Sequence, residues 1–315
     1  MRLGRSFVLT HPARLGDSVL SLPLQRALAS ETSLTTNVGP PYRFLFELAS
    51  VEAQFSGPLY PKGFRELMLE AKSLRLARFD SVFLVRPNFR SALLARLAHI
   101  PVRIGDATEG RGALLTHTVA VPPRANQLRR LREFGARVGV DVRGFGVPSV
   151  QRLDPPTIGI VPGASYHHKL IPPEPLREVC INLVSVGYQL ALLGGPGEEP
   201  WAEPLKDLPT LNWIGKYSLR ELVGPLSSLS ALVSADGGLY HLAVACGVPS
   251  VGVYGPTAGK FWWHDWGQHV PVLAPHRQMK NVTADQLMKA LNTPLSGPLS
   301  ASHDPKVSVH SPVGG

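Results

Sequence analysis

Short aliphatic and β-branched runs alternate with longer stretches of helical periodicity along nearly the whole 315-residue chain. This alternation constrains the fold most, because parallel strands need long crossovers and a helix is the usual one. In the first half the spacing predicts strands at 7–9, 34–38, 81–85, 102–104 and 118–121. Helices are expected at 18–29, 63–78, 90–98 and 126–138. The second half restarts with a strand at 157–161, a helix at 173–186, strands at 189–193 and 211–214, and a short helix at 219–226. Residues 231–257 then read as a buried strand, an acidic Gly-Gly turn, a helix and a second buried strand. The fold class expected is α/β, with two doubly wound domains facing across a cleft. Pro148, Pro155 and Pro156 mark the break. The expected units are residues 1–150, residues 151–293, and a disordered tail over 294–315 that is rich in Pro, Ser, Gly and His.

Charge divides along the same line. Residues 1–150 carry 21 basic and 11 acidic side chains, a net of +10, while 151–315 carry 11 and 12, a net of −1. The basic half is expected to meet an anionic partner such as a phosphorylated lipid, an acidic glycan or a membrane surface. No zinc-finger spacing, basic helix or aromatic-basic strand motif points to nucleic acid. Cys180 and Cys246 sit in apolar helical contexts and read as inert core thiols of a reducing compartment. Neither a secretory leader nor a membrane-spanning stretch is expected, so the reading is cytoplasmic, extending to peripheral contact with a membrane.

Several constellations are candidates to carry chemistry. Gly16-Asp17 follows the first strand, at the sheet's ligand edge, where Asp17 either caps the next helix or works on a ligand. Pro162-Gly163-Ala164-Ser165 follows the strand at 157–161 and leads to Lys169, which can neutralise a diphosphate while Ser165 bonds its oxygens. His167 and His168 suit a solvated turn. Gly194-Gly195-Pro196-Gly197-Glu198 is a strand-to-helix turn in which Glu198 complements a helix dipole. Ser218 with Glu221 fits a capping box as readily as a ligand contact. In Asp236-Gly237-Gly238-Leu-Tyr-His241 the glycines let a phosphate approach backbone N–H groups, while Asp236 and His241 can bond sugar or ribose hydroxyls. Arg86 and Arg90 face either an anionic acceptor or solvent, and the aromatic run 261–266 suits packing between domains. No clustered ligands point to a metal, and no Gly-x-Gly-x-x-Gly follows the first strand, which disfavours a dehydrogenase.

Asp236, Gly238, His241, Leu242, Ala245, Pro249, Gly255, Pro256 and Thr257 together resemble the donor-site signature of glycosyltransferase family 9, which holds the lipopolysaccharide heptosyltransferases. Gly237 departs from it, standing where a hydroxyl residue is usual. Gly16, Asp17 and Pro23 resemble the family's opening motif, and Ile171 replaces a tryptophan in its Lys-x-Trp-Pro segment. The resemblance implies the GT-B architecture and an inverting glycosyltransferase without a cofactor, using a nucleotide-diphosphate sugar, ADP-heptose foremost. It implies that Asp17 deprotonates the acceptor, an anionic glycolipid or glycan. The donor would be bound by Gly163, Ala164, Ser165, Lys169, Gly195, Glu198, Ser218, Asp236, Gly237, Gly238 and His241. A nucleotide-sugar epimerase of the same architecture and a non-catalytic glycan- or nucleotide-binding homologue are the alternatives.

Overall fold

The computed structural model describes residues 3–57, 61–86, 88–121, 125–146, 150–164, 166–256 and 268–296. Two six-stranded, all-parallel sheets follow one another along the chain. The first contains β1 (Arg5–Leu9), β2 (Ser33–Thr36), β3 (Gln54–Phe55), β4 (Ser81–Leu84), β5 (Val102–Asp106) and β6 (His117–Val119). The second contains β7 (Thr157–Val161), β8 (Gln189–Leu192), β9 (Thr210–Asn212), β10 (Ala231–Ala235), β11 (Ser250–Tyr254) and β12 (His269–Leu273). The strand orders are β3-β2-β1-β4-β5-β6 and β9-β8-β7-β10-β11-β12, the same doubly wound order twice. The winding reverses between β1 and β4 in one sheet and between β7 and β10 in the other. Strands β7, β10 and β11 are buried at every position, as continuous apolar runs must be when both faces are covered.

The helices are α1 (Leu15–Ala29), α2 (Phe44–Leu48), α3 (Phe64–Ala77), α4 (Phe89–Leu97), α5 (Gln127–Val138), α6 (Pro173–Ser185), α7 (Leu219–Ser227), α8 (Gly238–Ala245) and α9 (Ala284–Ser296). Helix α1 packs against both α5 and α8. One hydrophobic cluster therefore takes Leu20, Leu24 and Phe46 from the first half with Leu226, Tyr240 and Leu242 from the second. The two halves meet through apolar packing at this face. At the surface Arg220 of α7 adds an ion pair with Glu47 of α2 at 2.6 Å, and such exposed pairs contribute little.

Several expectations change. Helix α1 starts at Leu15, before Asp17, and its N-cap position is Arg14 with no side-chain cap bond. Strand β3 and helix α2 are too short to register as periodic signals. Strand β12 hides behind His269 and Pro271; as an edge strand it tolerates a proline without an N–H. Helix α9 runs past Pro294 to Ser296, because Leu295 packs on the second core one turn beyond Leu291. Cys180 and Cys246 are free and buried, and burial pushes their thiols up to about 12 and about 11. Among the described residues no helix is long and apolar enough to cross a membrane.

Candidate active site

A doubly wound sheet opens its ligand crevice at the carboxyl ends of the strands where the winding reverses. Asp17 follows β1 and Arg86 follows β4, the reversal pair of the first sheet. Lys169 follows β7 and Asp236 follows β10, the reversal pair of the second. All four stand where the topology puts a ligand.

The two crevices are brought together by glycines. A Cβ on Gly16 would lie 2.9 Å from Cδ2 of His241, and a Cβ on Gly238 would lie 2.9 Å from Cβ of Leu15. The first turns of α1 and α8 thus interlock, each glycine receiving a side chain of the other helix. This is a close-approach role, and neither residue has a positive φ. Beneath α8 the Tyr240 ring lies over Gly252 of β11, where a Cβ would sit 2.6 Å from Cζ of Tyr240. Tyr240 is fully buried and fixes the helix that carries His241.

On the second side the Nζ of Lys169 donates to Oδ2 of Asp236 at 2.9 Å and reaches its carbonyl oxygen at 3.4 Å. The Nε2 of His241 lies 3.5 Å from the other carboxylate oxygen, Oδ1. Both Asp236 and His241 are buried. Burial pushes the Asp236 carboxyl up, but the hydrogen bond and charge of His241 and the ammonium of Lys169 outweigh it and hold it at about 2. Asp236 is therefore an anion that orients a cation and an imidazole, and Lys169 reaches the crevice already paired.

On the first side Asp17 is partly buried in the opening turn of α1. Burial pushes its carboxyl above the ordinary range, while the charges of Arg14, His241 and Arg86 pull it back. A raised carboxylate beside cations is suited to accepting a proton. His11, at the end of β1, accepts the N–H of Ala13 on Nδ1 at 3.3 Å. Burial, then Arg86 and Arg14, lower its pKa to about 4, so it is neutral at pH 7. Arg14 crosses between the halves, its Nη2 donating to Oη of Tyr166 at 3.1 Å. Fully buried Arg111 donates from Nη1 to the carbonyl of Arg86 at 2.8 Å and pairs with Asp106 at 2.9 Å, fixing the backbone from which Arg86 projects. His11, Arg14 and Tyr166 escape motif reading. Their signal is only their position beside Gly-Asp and Pro-Gly-Ala.

The other expected residues divide. Gly163 is bare because a Cβ there would lie 2.9 Å from Oε2 of Glu198 and 3.2 Å from Trp201. The same Glu198 oxygen accepts the N–H of Gly195 at 3.1 Å. The helix expected after Glu198 is a 3-10 turn over Glu199–Leu205, held short by Pro200 and Pro204, so Glu198 braces two glycine loops instead of opening an α-helix. Among the described residues nothing lies within 4 Å of a Cβ placed on Gly195. Ala164 packs on the second core, and Ser165 lies outside the described residues. Ser218 is exposed and forms the full capping box with Glu221. Gly237 is the N-cap of α8 in an extended conformation, and among the described residues only the carbonyl of Ala235, at 3.7 Å, lies near a Cβ there, which leaves room for a hydroxyl residue among them. Arg90 donates to the carbonyl of Pro61 at 2.5 Å, within its own half. Thr257 and the aromatic run 261–266 also lie outside the described residues.

The family model for glycosyltransferase family 9 (heptosyltransferase) matches residues 69–291. Lipooligosaccharide heptosyltransferase 2 of Haemophilus influenzae is 27% identical over 222 residues, 60% of this chain and 64% of that protein. The chain thus matches under two thirds of the length of that curated relative. A family 9 glycosyl transferase from Veillonella parvula superposes with a TM-score of 0.74 at 18% identity, covering 94% of this chain and 98% of that one. ADP-heptose lps heptosyltransferase II of E. coli gives 0.69 at 23% identity, covering 92% and 98%. These likenesses show the GT-B fold of two Rossmann-like units. The chain belongs to glycosyltransferase family 9.

Proposed function

We propose that the protein is an inverting glycosyltransferase that moves heptose from ADP-heptose to an anionic glycolipid or glycan. The observation that supports this reading is the interlock of α1 and α8, in which His241, the partner of Asp236, packs on Gly16 next to Asp17 and acts on its carboxyl. One crevice offers a base and cations to an acceptor, and the other offers a cation and a helix N-terminus to a diphosphate. Asp17 takes the proton of the acceptor hydroxyl as its oxygen attacks the anomeric carbon. The bond from that carbon to the diphosphate breaks, and the diphosphate leaves with the electron pair. Lys169 and the N–H groups at Gly237 and Gly238 stabilise the charge that develops there. Asp236 holds Lys169 and His241 in place and bonds donor hydroxyls. Gly163, Ala164, Ser165, Gly195, Glu198 and Ser218 complete the donor side, and Arg86 and Arg90 the acceptor side. The acceptor side belongs to residues 1–150 and the donor side to residues 151–293, and the work is done at the cytoplasmic face of a membrane.

The test is ADP release from ADP-heptose with and without a Kdo-bearing lipid acceptor. Release that requires the acceptor and yields an inverted glycosidic product supports the proposal. Epimerised sugar nucleotide, or binding without turnover on any acceptor, contradicts it.

A further inference from the structure

Helix α3 buries one narrow stripe, half-buries Glu70 and Ala77, and leaves its other side chains to solvent. Leu67, Ala71 and Leu74 enter the core between the first sheet and α4. At about 100° per residue these three fall within an arc of about 60°. On the outward side Phe64, Arg65, Met68, Leu69, Lys72, Arg75 and Leu76 share an arc of about 140°. Every one of them is exposed, with Phe64 at 76%, Leu76 at 74% and Leu69 at 60%. The strip is built of large apolar and basic side chains alone. The helix's two acids, Glu66 and Glu70, lie on its flank. Glu66 is turned back to accept the N–H of Lys62 at 2.7 Å.

Isolated exposed apolar residues need no explanation, but a helical strip of them interleaved with cations does. An apolar face flanked by Lys and Arg is the pattern that lies in a bilayer interface, with the aliphatic stems of the basic residues reaching outward to lipid phosphates. The strip also begins at the right place. Helix α3 leaves the carboxyl end of β3, the edge on which Asp17 and Arg86 stand. Arg90 ties the first turn of α4 to the entry of α3 through Pro61, and Phe89 beside it is exposed as well. From there the helix runs about 21 Å.

We infer that the outer face of α3, with Phe89, is the surface by which this protein docks on an anionic lipid bilayer, presenting the crevice of Asp17 to a membrane-borne acceptor. The inference deepens the proposed function and rests on it only for the acceptor; the docking itself needs no donor.

Sedimentation with vesicles of pure phosphatidylcholine, and of equal parts phosphatidylcholine and phosphatidylglycerol, tests it without any sugar nucleotide. The full chain is expected to bind the anionic vesicles and leave the neutral ones. The triple variant Arg65→Ala, Lys72→Ala, Arg75→Ala is expected to bind roughly 100-fold more weakly, from about 1 kcal/mol per basic side chain near such a surface. Phe64→Ser with Leu76→Ser is expected to lose at least about tenfold, from lost burial of two apolar side chains in the interface. Both variants alter exposed positions, and an unchanged far-UV spectrum and unchanged thermal shift with ADP show that they fold and keep the donor site. If all forms bind vesicles equally, or none binds, the inference is overturned. Self-association of the full chain that the Phe64/Leu76 variant abolishes, with no vesicle binding, also overturns it, because the strip is then an interface between copies. Absence of any ADP response in every form would instead count against the donor site and leave the vesicle result to be read alone.

Discussion

Replacing Gly16 by alanine probes the interlock on which the joint site depends. Gly16 is the second residue of α1, and its missing side chain leaves room for His241, with 2.9 Å from an added Cβ to Cδ2 and 3.6 Å to Nε2. His241 is buried and paired with Asp236, so it has little freedom to withdraw. Forcing one methyl into a packed contact costs about 1–3 kcal/mol. Alanine in place of glycine in a helix returns up to about 1 kcal/mol. Gly16→Ala should therefore lower stability by about 1–2 kcal/mol. In a His241→Ala background the obstructing ring is gone, and the same substitution should be neutral or stabilising by up to about 1 kcal/mol. The coupling between the two positions is then about 1–3 kcal/mol, with the loss of the Asp236 contact cancelling from the cycle. Urea unfolding of the four proteins, followed by far-UV circular dichroism, reads it directly. If Gly16→Ala shifts the midpoint equally in both backgrounds, Gly16 and His241 do not pack together, and the two crevices do not form a joint site.

Two further outcomes follow from the donor side. Lys169→Ala should weaken ADP binding by about 1.5–3 kcal/mol, the range for a charge-assisted hydrogen bond, as measured by calorimetry and unchanged by EDTA. Unchanged affinity or strict metal dependence would show that the diphosphate is held elsewhere. Asp236, held at about 2, contributes stability that is full above the ordinary aspartate range near 4 and is lost as pH falls toward 2. The stability difference between wild type and Asp236→Asn should shrink over that window, and a difference independent of pH would mean that Asp236 is not ionised in the fold.

The parts of the fold that were legible in the sequence are those encoded by local period. The runs at β7, β10 and β11 are buried at every position and read plainly, and so does the amphipathic pattern of α5. The parts that were not legible depend on partners distant in sequence. Asp17 looks like a cap until α1 is seen to start two residues earlier at Leu15. Glu198 looks like a dipole partner, yet its orientation is set by Gly163, some 35 residues away, and by the N–H of Gly195. The pairing of Lys169 with Asp236 spans 67 residues and follows from β7 and β10 lying side by side, which only the sheet order decides. In the sequence Gly238 reads as a phosphate-approach residue and Gly16 only as part of a motif after the first strand, because their packing against the opposite helix arises only once the halves dock.

In the proposed reaction Asp17 is the base of a sugar transfer whose donor is bound on the opposite side of the crevice. The measurement that tests it most directly is the turnover of Asp17→Asn on ADP-heptose with a Kdo-bearing acceptor, beside its affinity for ADP. Asparagine keeps the shape and removes the proton acceptor, and general-base catalysis typically supplies about 100-fold or more. Turnover is expected to fall by at least that much with ADP affinity unchanged, and the wild-type rate to fall on the acid side at a pH above the ordinary aspartate range, because burial raises Asp17. Turnover near the wild-type value would contradict this role, and so would equal losses of turnover and of ADP affinity.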